Sequence, residues 1–151
     1  IDSFFSSTDN NFFLTGVQME VGPVATEFEQ EDISTTLAKC QRYYYKTAAT
    51  SSSFFGQGHC ISSTQAYGTV PFPTEMRIAP TALEQTGTAN NYRTSGAGST
   101  ATTCSAVPTF LVAGTASASV TFTVGSGLTD GQGIALQSLT DGAHLAWSAE
   151  L

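Results

Sequence analysis

Residues 120–124 read VTFTV, and this short stretch decides the fold. Val120, Phe122 and Val124 alternate with Thr121 and Thr123, so an extended chain puts every apolar side chain on one face. Working outward, Val107, Phe110 and Val112 mark a strand before it, and Leu145, Trp147, Ala149 and Leu151 mark one after it. Between them, GSGLTDGQGIALQSLTDG (125–142) reads as a glycine loop, a short strand and a turn at Asp141-Gly142. Short strands at regular spacing with turn signals indicate a β-sandwich or barrel.

The first half is less regular. Phe13, Thr15, Val17 and Met19 alternate with Leu14, Gly16, Gln18 and Glu20, which predicts a strand over 11–22, punctuated by Gly22-Pro23. Ile33, Leu37 and Cys40 or Gln41 fall at helical spacing, which predicts one short helix from about 33 to 41, with Asp32 or Ser34 as N-cap. Tyr43-Tyr44-Tyr45 leads into a further strand. HCISSTQAYG predicts a strand near 58–67, and Met76 and Ile78 a short one ended by Pro80. Residues 85–103 are poor in apolar side chains and predict a long exposed loop.

Composition narrows the function. Charged residues are 11% of the 151, against roughly 25% in an average domain. With five basic residues and a net charge of −7, a nucleic-acid footprint is missing, and an anionic membrane is a poor partner. No run of 18 apolar residues exists, so membrane insertion is not expected. No signal peptide opens the chain, and its start at Ile1 suits processing or a longer parent polypeptide. Three cysteines, Cys40, Cys60 and Cys104, make a poor disulfide framework and read as mostly buried thiols from a reducing cytoplasm.

GxxxxGK[ST], HExxH and GxSxG do not occur. The glycines from Gly125 to Gly133 carry Asp130 where a dinucleotide fingerprint needs glycine, and read as a hairpin loop. Cys40, Cys60, Cys104 and His59 lack zinc-ligand spacing. Glu27, Glu29, Glu31 and Asp32 lack calcium-loop spacing and suit a solvated helix start. The expectation is no metal, no cofactor and no catalytic set. Phe54, Phe55, Tyr67 and Tyr92 are candidates for a sugar-stacking surface, with packing the competing reading. Asn90, Asn91, Tyr92 and Arg93 are the candidate ligand-contacting residues, because they sit in the expected loop.

One stretch goes beyond composition. Gly16-Val17-Gln18-Met19-Glu20, Gly22, Ala25-Thr26, Phe28-Glu29, Leu37 and Cys40-Gln41-Arg42-Tyr43-Tyr44 resemble a junction found in bacteriophage tail-fibre and virion structural proteins. FPTEMRIAPT (72–81) and the closing AHLAWSAEL (143–151) are similar to further segments of that family. The resemblance implies that residues 1–30 are the last strand or strands of an upstream domain, often of carbohydrate-binding type in the family, and a linker. Residues 31–151 are then an all-β, jelly-roll-like antiparallel sandwich knob with one short helix. It implies a homotrimer in the virion, made in the host cytoplasm, in contact with other virion proteins and with a host-surface glycan or protein receptor. A capsid decoration or connector without receptor binding is the alternative. A polysaccharide depolymerase is the third reading, with Glu75, Glu84, Asp130 and Asp141 as isolated acids.

Overall fold

A computed structural model describes residues 17–24, 26–28, 30–47, 50–96 and 101–150. The chain falls into two compact units, Ile1–Asp32 and Ile33–Leu151.

In the first unit, Val17–Glu20 form no strand, and residues 21–24 are a bend. The predicted strand therefore fails over 17–22, while 11–16 lie outside the described residues. Alternation puts apolar groups on one side, but a strand also needs a neighbour for its amides and carbonyls. Val17–Glu20 have no such ladder. Local hydrogen bonds shape the segment instead. The Glu20 carboxylate accepts from the Thr26 hydroxyl at 2.7 Å and from the Thr26 amide, and these bonds hold its pKa below the usual value.

The second unit opens with helix α1, Ile33–Gln41, where the spacing predicts it. Strand β1 (Tyr44–Lys46) follows and pairs antiparallel with β9 (Leu145–Ser148). The two-residue strand β4 (Glu84–Gln85) lies on the other side of β9. Tyr45 and Trp147 are register partners with rings stacked at 6.3 Å, and Phe72 packs edge-on to both. The Trp147 indole N–H finds no acceptor among the described residues.

The body is a closed antiparallel barrel. Its strands are β2 (Phe54–Cys60), β3 (Gln65–Pro71), β5 (Tyr92–Gly96), β6 (Thr102–Ala113), β7 (Ser117–Val124) and β8 (Gly133–Ser138). They run in the order β2-β3-β7-β6-β5-β8, and β8 closes on β2. The class is mainly β with one short helix, as expected. The larger sheet is a barrel, not an open jelly-roll-like sandwich, because β8 pairs with both β5 and β2 and leaves no edge. Ala118, Val120, Phe122 and Val124 of β7 point inward and are buried with Phe55, Tyr92 and Leu136. Tyr92 sits at the centre, with Phe122 edge-on at 5.9 Å and Phe55 tilted at 6.0 Å.

Closure demands small residues where β2 meets β3. A Cβ on Gly58 would strike the Tyr67 carbonyl, and one on Gly68 would strike Leu136. Register shifts in β2 and β6 supply the bends that let the sheet curl.

Three further expectations change. The strand near 58–67 is two strands, because Ser62 Oγ accepts from the Thr64 and Gln65 amides at 3.2 and 3.0 Å and reverses the chain. The segment around Met76 and Ile78 is not a strand; the Met76 amide bonds the Thr115 carbonyl, and Met76 itself is buried. Residues 125–132 are not a hairpin loop, since β7 and β8 are not barrel neighbours. They cross one end of the barrel, where the Gly131 amide reaches the Cys60 carbonyl and the Leu128 amide reaches Ser63. Cys60 and Cys104 are buried, Cys40 is exposed, and all three thiols are free. No helix of the described residues is long and apolar enough to cross a membrane.

Candidate functional site

The expected loop at 85–103 is mostly ordered strand and turn, and this moves the candidate site. β4, a 3-10 turn at Ala89–Asn91, β5 and the start of β6 occupy it, while residues 97–100 lie outside the described ones. Tyr92 is 0% exposed and belongs to the core. Its hydroxyl donates to the His144 carbonyl at 2.7 Å and accepts from the Thr86 amide at 2.9 Å. Asn91 is half-buried and donates to Thr86 Oγ1, and Asn90 is exposed on the turn. Only Arg93, the next residue along the pleat after Tyr92, reaches the outer face of the barrel wall.

That outer face has definite rows. Arg93, Gln137 and Phe54 are register partners across β5, β8 and β2, and Ser95, Ala135 and Gln57 form the next row. Further along, His59 stands between Gly133 and Tyr67. The small side chains leave a trough of about 330 Å³ lined by Gln57, Gly58, Ser95, Gly96, Gly133, Ile134 and Ala135. Two more recesses adjoin β2. One of about 490 Å³ lies between Phe54, Gln57, Thr69 and Pro71, and one of about 200 Å³ lies between His59, Tyr67, Thr69 and Leu111.

Of the four candidate stacking aromatics, the structure splits the set. Phe55 and Tyr92 are core, Tyr67 is half-buried on the outer face, and Phe54 is 67% exposed. Adjacent aromatics carry no period, so only the β2 register tells Phe54 from Phe55.

Arg93 is held in place. Its Nε donates to Gln137 Oε1 at 2.9 Å, and Nη2 donates to Ser52 Oγ at 3.2 Å. Gln137 is buried although it points outward, since this lattice covers it. Ser52 has φ 63, the left-handed region that few non-glycine residues adopt. Its loop is fastened to the end of β8: Ser138 Oγ donates to the Thr50 carbonyl at 2.6 Å, and the Ser51 amide donates to Asp141 Oδ1 at 2.7 Å. Sequence reasoning missed Ser52, Gln57 and Gln137, because polar residues on different strands share no local pattern.

The isolated acids are scattered. Glu75 and Asp130 are exposed, Glu84 accepts from the Tyr44 hydroxyl at 3.1 Å, and Asp141 holds the loop. Burial, and then Glu84, raise the Tyr44 pKa. No group of three or more His, Cys, Asp or Glu suited to a metal occurs among the described residues. Burial pushes the Cys104 thiol up to about 12 and raises Cys60 as well. Comparison with protein-family models, curated proteins and solved structures gives no match to this chain.

Proposed function

We propose that this chain is the terminal part of a non-enzymatic virion fibre protein. It assembles as a homotrimer and uses the outer wall of its barrel to attach to a host-surface receptor. The observation that carries this reading is helix α1. It spans nine residues, lies inside the fibre-like junction, and has no buried side chain. Isolated helices shorter than about 12–15 residues are marginal in water, so a nine-residue helix needs packing to persist. Ile33 is 83% and Leu37 55% exposed, one turn apart on one stripe. Val17, Met19, Val21, Val24 and Phe28 are exposed in the preceding unit. Apolar exposure of this kind, in each unit taken by itself, suits association, and other copies of the chain are the partners that the resemblance names.

The barrel supplies the second half of the argument. Its outer troughs are shallow and mix polar groups with apolar ones, including one exposed aromatic, and their linings hold no carboxylate. Such a surface binds by shape and hydrogen bonding, weakly at each site. Several copies in one fibre then raise avidity.

A glycan array probed with the purified 151-residue chain tests the receptor role. Retention on a subset of glycans supports it. Binding to neither glycans nor a panel of bacterial cells favours the capsid decoration or connector role. Release of reducing ends from bound polysaccharide would replace attachment with depolymerase activity.

A further inference from the structure

The six barrel strands carry a single formal charge, Arg93. The other four basic residues, Lys39, Arg42, Lys46 and Arg77, all precede residue 78 in the chain. Arg93 thus stands alone on a wall without a carboxylate, in a chain of net charge −7. An acid directly across a neighbouring strand would stabilise such a cation, and the barrel strands offer none.

Its surroundings give it a direction. Among the described residues, the bonds to Gln137 and Ser52 use two of the five N–H donors of a guanidinium. Both partners are neutral and fix the plane of the group; the nearest carboxylate along this loop, Asp141, is bonded to the Ser51 amide. A planar fork held in this way matches a carboxylate, which it can engage through two parallel bonds. Beside it lie Phe54 in the same row, and Ser95 and Gln57 in the next. An exposed aromatic ring packs on the apolar face of a sugar, while amides and hydroxyls match its hydroxyl groups. Neighbouring strands stand about 4.8 Å apart, so Arg93 and Phe54 spring from points about 10 Å apart, a span suited to a short oligosaccharide.

We infer that the outer face of β5, β8 and β2, where Arg93 and Phe54 end one register row and Gln57 and Ser95 line the adjoining trough, binds a carboxylated glycan. Arg93 receives the acid group, Phe54 packs against a sugar ring, and Gln57 and Ser95 contact its hydroxyls. This rests on the receptor-attachment reading and names the class of receptor.

The test uses the full chain on a glycan array with four arms: hexuronic-acid oligosaccharides, their carboxyl-reduced counterparts, and sulfated and phosphorylated glycans. The expected result is retention on the hexuronic-acid arm, at least tenfold weaker on the carboxyl-reduced arm, and weakening with added salt. Arg93→Gln lowers retention at least tenfold, Arg93→Lys lowers it less, and Phe54→Ala lowers it several-fold with an unchanged melting temperature. Because Arg93 also bonds Gln137 and Ser52, the exposed Phe54 serves as the variant that leaves folding intact. Equal retention on carboxyl-reduced glycans, or retention insensitive to both Arg93→Gln and Phe54→Ala, overturns this inference and leaves receptor attachment standing. Retention led by sulfated or phosphorylated glycans overturns the choice of carboxylate. Failure on every glycan and on bacterial cells overturns both readings.

Discussion

Val17, Met19 and Val21 alternate with their neighbours as faithfully as Val120, Phe122 and Val124 do. The first three are exposed and the second three are buried. The difference lies in what each stretch has beside it. β7 has β3 on one side and β6 on the other, so its backbone groups are paired and its apolar face meets the opposite wall. Val17–Glu20 have no strand beside them among the described residues. Alternation selects which face is apolar, and neighbours decide whether that face is buried. The barrel supplies its own neighbours. Val17, Met19 and Val21 in the first unit, and Ile33 and Leu37 of α1 in the second, stay exposed.

Substitutions inside the barrel therefore threaten folding, and substitutions in the exposed stretch threaten assembly. The largest effect is expected at Gly58. An added methyl meets the Tyr67 carbonyl on the paired strand, so Gly58→Ala should cost more than about 5 kcal/mol and yield little folded protein. A normal melting curve for that variant would show that the barrel does not close as described. Tyr92→Ala should cost about 3–5 kcal/mol through the cavity it opens beneath Phe55 and Phe122. Tyr92→Phe should cost about 1–3 kcal/mol, since it leaves the Thr86 amide and the His144 carbonyl without their partner. Denaturant unfolding measures both.

The barrel also has an alkaline limit. Folded protein holds the Cys104 proton to about 12, whereas the unfolded thiol releases it near its ordinary value of 9.0. The contribution is complete below pH 9 and is lost as pH rises toward 12. By pH 11 the loss is roughly 2–3 kcal/mol. Cys104→Ala should flatten that decline, and an unchanged slope between pH 9 and 11 would count against the burial of this thiol. At pH 8, a thiol reagent should label Cys40 alone in native protein and all three cysteines after denaturation.

Strands β7 and β9 and helix α1 were legible because their apolar residues repeat at a clean period, and β6 through its apolar content alone, since its register shifts break any period. β5 was not. In Tyr92–Gly96 only Tyr92 is apolar, and Thr94 faces the core with a hydroxyl where a longer apolar side chain would have signalled a strand. β2 and β3 merged into one expected strand because Ser62 makes its turn through a side-chain hydroxyl, without Gly or Pro to announce it. The site was legible only in part, at Phe54 and at Arg93. The partners of Arg93, Gln137 and Ser52, lie 44 and 41 residues away and meet it through barrel closure. Closure itself leaves a faint trace in Gly56, Gly58 and Gly68, whose meaning appears only when β2 and β3 are laid side by side.

The smallest expected stability effect lies in the exposed helix. Ile33→Ser with Leu37→Ser should move barrel unfolding by no more than about 0.5 kcal/mol in dissociated protein, the range for surface changes. The same pair should abolish assembly. Light scattering on the size-fractionated chain tests this most directly. The account predicts a particle of three times 15.8 kDa for the unaltered chain, and 15.8 kDa for the double variant with its β-rich spectrum retained. An unaltered chain that stays at 15.8 kDa across micromolar concentrations would contradict it.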